Sequence, residues 1–107
     1  MATRANIFIR DNQSDLDKEV LYHHWDGYPD GVGVNLAGIL NTIPKEVSKT
    51  MTKSGLANII HKKNPSYEIT TPNEAPDAEY NYEIDLSLRQ VDWIYIPTGE
   101  RNWLCDF

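Results

Sequence analysis

The sequence predicts a single α+β domain in which an antiparallel sheet of about five strands carries two or three helices on one face. Three observations support this fold class. Strand-like alternation occurs near both ends of the chain, helical spacing of apolar residues lies between them, and no repeat marks a second domain. At 107 residues, the chain is long enough for one hydrophobic core. The predicted element order is β-β-α-α-β-β-β.

Two strands are predicted before the first helix. In residues 3–10, Ile7 and Ile9 alternate with Phe8 and its neighbours, and the polar stretch 11–18 connects this strand to a second one near residues 19–25. Successive side chains of a strand point to opposite faces. His23 and His24 are therefore expected on opposite faces of the sheet.

A strand-to-helix corner follows in residues 22–33, Tyr-His-His-Trp-Asp-Gly-Tyr-Pro-Asp-Gly-Val-Gly, which we call the corner. It is dense in groups that stack, bind metals or donate backbone hydrogen bonds. Asp26-Gly27 and Pro29-Asp30-Gly31 are turn signals. Asp30 is expected to cap a helix that begins at residue 31 or 32 and ends near Leu40.

A second helix is predicted from about Pro44 to Lys53 or beyond, with an apolar stripe that continues to Ile60. Whether Gly55 divides it into two helices stays open. Lysines recur every four residues on another face, at positions Lys45, Lys49 and Lys53. They form either the solvated side of the helix or a contact face for an acidic partner, including the acidic sheet of a second copy.

The C-terminal third is predicted to be rich in strands. A short extended piece at residues 67–70 and an exposed loop to residue 79 precede three strands joined by turns near residues 89–90 and 97–100. In the last strand, alternation places Trp103, Cys105 and Phe107 on one face. Apolar neighbours predict that the Cys105 thiol is buried and inert, which disfavours a cysteine nucleophile.

Charge is distributed unevenly. The net charge is −6, with eight basic and seven acidic residues in 1–65 but two basic and nine acidic residues in 66–107. This balance disfavours non-specific nucleic-acid binding, which requires clustered Lys and Arg. The acids Glu83, Asp85 and Asp92 form either a solvated sheet face or an acidic patch that meets a basic partner.

The expected compartment is a reducing cytoplasm. The sequence contains no run of eighteen apolar residues, no apolar region near its N-terminus and one cysteine, which excludes an intrachain disulfide. We therefore expect no contact with a membrane.

Metal binding at the corner is one hypothesis. Either histidine could join Asp26 and Asp30, with His61 approaching from the helix, and these ligand types suit zinc, manganese or iron. Strand alternation separates His23 from His24, which leaves too few ligands for a protein-only site. We therefore expect no metal and no cofactor, and assign no catalytic residue.

A nucleotide-like ligand is a second hypothesis for the corner. Glycines allow close backbone approach, amides at a helix N-terminus can hold a phosphate, and Trp25 or Tyr28 could stack on a base. Against it, the spacing matches no phosphate-loop fingerprint, and the expected cap at Asp30 would occupy those amides. The candidate ligand-binding residues are His24, Trp25, Asp26, Gly27, Tyr28, Asp30, Gly31 and Gly33.

The opening Met-Ala-Thr-Arg, the segment Tyr-His-His-Trp-Asp-Gly-Tyr-Pro and the following Gly31-Val32-Gly33 resemble a group of small phage and prophage proteins. Members begin similarly and carry a His-Trp-Asp-Gly-Tyr core. The resemblance covers the first forty residues and supplies no site residues. It implies a phage or mobile-element accessory protein in a bacterial cytoplasm.

In that setting we expect a non-enzymatic protein that acts by stoichiometric binding, for instance as a counter-defence inhibitor. Its target would be a nucleic-acid-handling host protein or a small nucleotide signal. One alternative is a metal-dependent hydrolase or nuclease that uses His23 or His24 with Asp26 and Asp30. Another is a structural component of a virion or oligomer.

Overall fold

The computed structural model describes residues 3–71, 73, 75 and 77–107, and within them a six-stranded sheet and three α-helices confirm the α+β class. None of the helices described there has the length and apolar character needed to cross a bilayer. The strands are β1 (Ala5–Arg10), β2 (Glu19–His23), β3 (Tyr67–Ile69), β4 (Tyr80–Asp85), β5 (Gln90–Tyr95) and β6 (Glu100–Asp106). The helices are α1 (Val34–Asn41), α2 (Lys45–Ser48) and α3 (Lys53–Lys63), and a π-helical turn (Pro29–Gly33) leads into α1.

The sheet is mixed, so the prediction of a purely antiparallel sheet was wrong. Its order is β3-β2-β1-β4-β5-β6, and the central strands β1 and β4 run parallel, with Ala5 opposite Tyr80. The alternation of apolar and polar residues indicates which face of the sheet a residue occupies. It does not indicate strand direction, because it is the same in parallel and antiparallel pairs. The return path decides the direction: after β3 the chain crosses back, and the Glu79 amide bonds the Arg4 carbonyl beside the start of β1.

Helices α1 and α3 cover one face of this sheet. Every second residue of β1, namely Ala5, Ile7 and Ile9, is fully buried in a cluster shared with both helices. Burial of each large apolar side chain contributes about 1.5–3 kcal/mol to stability. The helices contribute Leu36, Ile39, Leu40, Leu56, Ala57 and Ile60, and the sheet adds Leu21, Tyr67, Tyr82, Ile84 and Val91.

Two described residues of the return segment between β3 and β4, Ala75 and Thr71, hydrogen-bond β1 and β2. The amide side chain of buried Asn6 exchanges hydrogen bonds with the backbone of Ala75, at 2.9 and 3.0 Å. The amide of buried Val20 donates to the Thr71 hydroxyl at 3.0 Å. The side of β4, β5 and β6 opposite α1 and α3 is called the open sheet face below.

Gly55 does not divide the second predicted helix. The interruption falls at residues 49–52, between α2 and α3, and Gly55 lies in the first turn of α3. Its amide donates to the Thr52 hydroxyl at 3.0 Å, which makes Thr52 the N-cap. A Cβ at position 55 would lie 2.9 Å from that hydroxyl oxygen, so the cap favours glycine there.

A β-bulge makes the prediction for the last strand wrong. Val91 faces Cys105 and Asp92 faces Trp103, so the pairing with β5 skips Leu104. The extra residue moves Trp103 to the open sheet face, while Cys105 stays half-buried on the helical side. Burial raises the pKa of the Cys105 thiol, which keeps it protonated at neutral pH.

Candidate functional site

The backbone amides of the corner bond the chain's own carbonyl groups. These contacts hold the corner against the start of β1 and close it on itself. A phosphate at the corner would have to displace them, so the structure does not favour the phosphate-binding version of the nucleotide hypothesis. The donor amides and their acceptors are Gly27 to Thr3 (2.8 Å), Gly31 to Tyr28 (2.9 Å) and Val32 to Asp26 (2.8 Å).

The glycines of the corner are required by close packing within the chain. A Cβ on Gly27 would lie 2.9 Å from the Thr3 and Arg4 backbone. One on Gly31 would lie 2.3 Å from the Asp26 carbonyl oxygen. Because backbone atoms cannot move aside as a flexible side chain can, these positions require glycine without any ligand.

Tyr82 fastens the corner to the sheet. Its side chain, on β4, is fully buried, and its hydroxyl donates to the Gly27 carbonyl at 2.6 Å. Burial raises the pKa of Tyr82, so the hydroxyl remains a donor at neutral pH. The corner is thereby connected to both β1 and β4.

Asp30 does not cap a helix, contrary to the sequence prediction. Within the described residues, the turn begins after Tyr28 with no side-chain cap, and Asp30 lies exposed in its first turn. The carbonyl of Asp26 accepts from the Val32 amide, which a cap at Asp30 could otherwise have taken. Gly33 continues directly into α1, since its backbone is already helical.

The two histidines point to opposite sides, as predicted. His24 Nδ1 bonds the Tyr22 hydroxyl at 2.7 Å, and its ring meets Trp25 edge-on at 4.7 Å. The His23 ring instead packs against Tyr67, with centroids 4.6 Å apart.

This geometry does not favour the metal hypothesis, because His23 and His24 cannot converge on one ion. His61 is also engaged elsewhere, since its Nδ1 lies 2.7 Å from the Tyr67 carbonyl oxygen. Within the described part of the chain, no three His, Cys, Asp or Glu side chains are grouped so that they could hold a metal.

Two large aromatic side chains of the corner remain exposed. Trp25 is 59% exposed, and Tyr28 is exposed with its hydroxyl donating to the Asp26 carboxylate at 2.9 Å. Asp26 itself has a positive φ of 52°, a conformation uncommon for residues other than glycine. The Tyr28 hydroxyl therefore holds the Asp26 carboxylate in place at the surface.

The three acids singled out in the sequence lie together on the open sheet face. Glu83, Asp85 and Asp92 line a cleft of about 410 Å³, together with Arg10 and Arg101. Glu83 and Asp85 alternate with the core residues of β4, and Asp92 faces Glu83 across the β4–β5 pair. We call this feature the cleft.

Two arginines pair with acids of the cleft, and one of them, Arg101, bridges two carboxylates. The Arg101 guanidinium donates to Glu83 and to Asp92, each at 2.9 Å, and Arg10 lies 3.9 Å from Glu83. The hydrogen bond that Arg101 donates to Glu83 raises the pKa of Arg101 further above neutrality. Asp85 uses one oxygen for its own turn, accepting from Ser87, while its second oxygen is buried without a partner among the described residues.

Two apolar side chains on the open sheet face remain exposed. Leu88 lines the cleft from the β4–β5 turn and is 56% exposed. Trp103 faces Asp92 across the β5–β6 pair and is 58% exposed. A charged centre beside exposed leucine and tryptophan is typical of protein interfaces.

The predicted lysine stripe does not form one surface. Lys53 turns to the loop between β1 and β2, where its ammonium donates to Asp15 at 2.8 Å. A backbone hydrogen bond from Asp11, reinforced by Lys53, lowers the pKa of Asp15 to about 2. Lys45 and Lys49 lie exposed on and after the separate helix α2. The break between α2 and α3 is the reason the stripe divides.

Several site residues were absent from the sequence-based set. Arg10 and Arg101 could not have been found, because Arg10 meets the acids through the parallel pairing of β1 with β4, and the bulge at Leu104 sets the face of Arg101. Leu88 lies in a turn, where no periodicity applies. At the corner, sequence reasoning favoured His24, whereas a second cavity of about 230 Å³ is lined by His23 together with Asp26, Asn35, Asn64 and Tyr67.

No protein-family model matches the chain, and no match was found among curated proteins or solved structures. Function is therefore inferred from the geometry of the open sheet face and the corner.

Proposed function

We propose that this protein acts by stoichiometric binding and that its open sheet face contacts a protein partner with basic side chains. The observation that carries the proposal is the convergence of Glu83, Asp85 and Asp92 in the cleft, beside exposed Trp103. These residues come from three strands and lie on the side of the sheet that the helices leave uncovered.

Charge favours a basic partner. Three carboxylates and two guanidinium groups line the cleft, and the last 42 residues hold nine acidic and two basic residues. Complementary charge raises the association rate and discriminates between partners more than it adds affinity. A surface that normally holds nucleic acid is basic, so a nucleic-acid-handling protein has the required chemistry.

Affinity would come mainly from the apolar side chains. Exposed ion pairs contribute only about 0–1 kcal/mol each to binding. A tryptophan at the centre of an interface is often a hot spot, whose truncation costs about 2 kcal/mol or more. Trp103 and Leu88 lie beside the charged groups, so one partner segment can contact both kinds of side chain.

The biological setting is part of the proposal. The resemblance of the first forty residues to phage and prophage proteins supports an accessory protein that inhibits a host defence factor in a bacterial cytoplasm. An inhibitor of this kind needs a specific surface and no catalytic group.

The test is affinity capture from bacterial lysate with three forms of the protein. The cleft variant Glu83→Gln/Asp85→Asn/Asp92→Asn should lose the captured protein, whereas the control Asp30→Asn/Glu46→Gln/Glu68→Gln, with the same change in charge at exposed positions, should keep it. Titration of the identified partner should then show binding at least tenfold weaker for Trp103→Ala. Equal capture by the cleft and control variants, with both folded by circular dichroism, would refute the proposal.

A further inference from the structure

A small cavity lies where the corner meets the helices. It has a volume of about 230 Å³ and is lined by side chains from five places in the chain: the end of β2, the corner, α1, the residue after α3, and β3. Pockets for drug-sized ligands usually measure about 300–1,000 Å³. The corner cavity therefore suits one ring system better than a whole nucleotide.

Aromatic rings form one wall of the corner cavity. Tyr67 is fully buried, and the His23 ring packs against it at 4.6 Å. His23 Nδ1 bonds the Trp25 carbonyl, so this nitrogen carries the proton, because a carbonyl can only accept. Burial lowers the pKa of His23, so the ring is neutral at pH 7, and its Nε2 is a hydrogen-bond acceptor without a partner in the described residues.

Asn35 supplies a donor. Its Oδ1 accepts from the Tyr67 hydroxyl at 2.8 Å and from Asn64 at 3.2 Å, which fixes the orientation of the amide. The Asn35 Nδ2 group therefore carries hydrogens that no described residue accepts. Across the described part of this site, both donors and acceptors remain unused.

Asp26 supplies the charged acceptor. One carboxylate oxygen accepts from the Tyr28 hydroxyl at 2.9 Å, and each oxygen of a carboxylate can accept more than one hydrogen bond. The positive φ of Asp26 holds it next to Gly31, which also lines the corner cavity. Residues held in such conformations cluster at ligand sites.

We propose that the corner cavity binds a guanine-type base, a planar ring with three adjacent N–H hydrogens and one carbonyl oxygen. Two hydrogens, on N1 and N2, match the Asp26 carboxylate, and the third matches His23 Nε2. The O6 carbonyl matches Asn35 Nδ2. Adenine presents no such row of donors, and a guanidinium group offers no acceptor to Asn35.

The base and not the phosphate is the recognised group. Amides of the corner already bond the chain's own carbonyls, and the protein carries a net charge of −6, which repels a polyanion. The site uses residues that are absent from the cleft, so it is independent of the proposed protein interface.

Two-dimensional NMR of the ¹⁵N-labelled protein with nucleoside monophosphates tests the site. Guanosine monophosphate should cause saturable shifts at residues 23–35 and 64–67. Inosine monophosphate, which lacks the N2 amino group, should bind about tenfold more weakly or worse, because a charged acceptor loses a donor. Adenosine monophosphate and methylguanidinium should cause no saturable shift. No saturable shift with the guanosine nucleotide, or equal affinity for the inosine nucleotide, would overturn the proposal.

A substitution separates base recognition from general binding. Asp26→Asn exchanges a carboxylate oxygen for an N–H donor, so one acceptor atom remains for the two hydrogens on N1 and N2. The variant should therefore lose the preference for guanosine over inosine monophosphate. Asparagine tolerates a positive φ, so the variant should fold. The control Asp30→Asn removes the same charge from an exposed corner residue that does not line the cavity. An unchanged preference in Asp26→Asn, or the same change in Asp30→Asn, would contradict the assignment.

Discussion

At the corner, backbone atoms occupy the space around Gly27 and Gly31, whereas the cleft is made of regular strands whose side chains meet in solvent. The corner is dense in chemically versatile residues, yet its glycines and amides serve the chain's own packing. The cleft is assembled from residues far apart in the sequence, from Arg10 to Arg101. A dense local motif can therefore be mainly structural, while a binding surface can arise from scattered residues on one sheet face.

Because of this difference, we expect substitutions at the corner to change mainly stability and substitutions in the cleft to change mainly binding. Backbone contacts of the corner join it to β1, β4 and α1, so disturbing them should lower the free energy of unfolding. Ion pairs in the cleft are partly exposed and should matter little for stability. Four predictions test this contrast, in order of decreasing effect.

The largest effect is expected for Gly31→Ala. The new Cβ would lie 2.3 Å from the Asp26 carbonyl oxygen, so the backbone must move, at a cost of about 3 kcal/mol in unfolding free energy. Gly38→Ala is the control: position 38 lies in α1 with no described atom near its Cβ, and alanine should stabilise by about 0.5–1 kcal/mol. Urea unfolding measures both. Equal stability of the two variants would mean that the corner is not rigid.

Tyr82→Phe should have the next largest effect. It removes the 2.6 Å hydrogen bond to Gly27 and leaves a buried carbonyl unsatisfied, at a cost of about 1–3 kcal/mol. Tyr80→Phe, on the same strand, removes a hydroxyl that has no hydrogen-bond partner in the described structure, and should change stability by about 0.5 kcal/mol or less. Thermal unfolding of both variants measures the difference. A similar loss in both would remove the special role of the Tyr82–Gly27 contact.

Glu83→Gln should change stability by about 1 kcal/mol or less. Its partner Arg101 is half-exposed, so solvent and salt screen the pair. Unfolding at low and high salt should give a smaller difference between wild type and variant at high salt. A salt-independent loss well above this size would show that the cleft stabilises the fold as the corner does.

The smallest effect is the pH dependence from His23. Burial lowers its pKa in the folded state below the usual 6.5, so the unfolded chain takes up the proton more readily. Stability should therefore decrease as pH falls through about 6.5, and His23→Gln should remove this part of the decrease. Urea unfolding between pH 8 and pH 5 measures it, with His24→Gln as control. If the stability of His23→Gln depends on pH in the same way as that of the wild type, the prediction is contradicted.

Much of the fold could be predicted because it depends on local patterns. Alternation located β1, β4 and β5 and placed His23 and His24 on opposite faces, and Gly99 has the positive φ of 75° that its turn requires. The bulge at Leu104 could not be predicted, since one extra residue changes the face of Trp103 without changing composition. The cap at Asp30 was wrongly predicted because a contact between Asp26 and Val32 replaced it.

The sequence by itself determined the α+β class, the faces of most strand residues and the excess of acid in the C-terminal third. These properties follow from side-chain periodicity and charge, which each segment carries wherever it lies in the fold. Only the tertiary structure decided that β4 runs parallel to β1, that Ala75 and Thr71 bond β1 and β2, and that Arg10 and Arg101 meet the acids. Those features depend on the path of the chain between distant segments, which local periodicity does not encode.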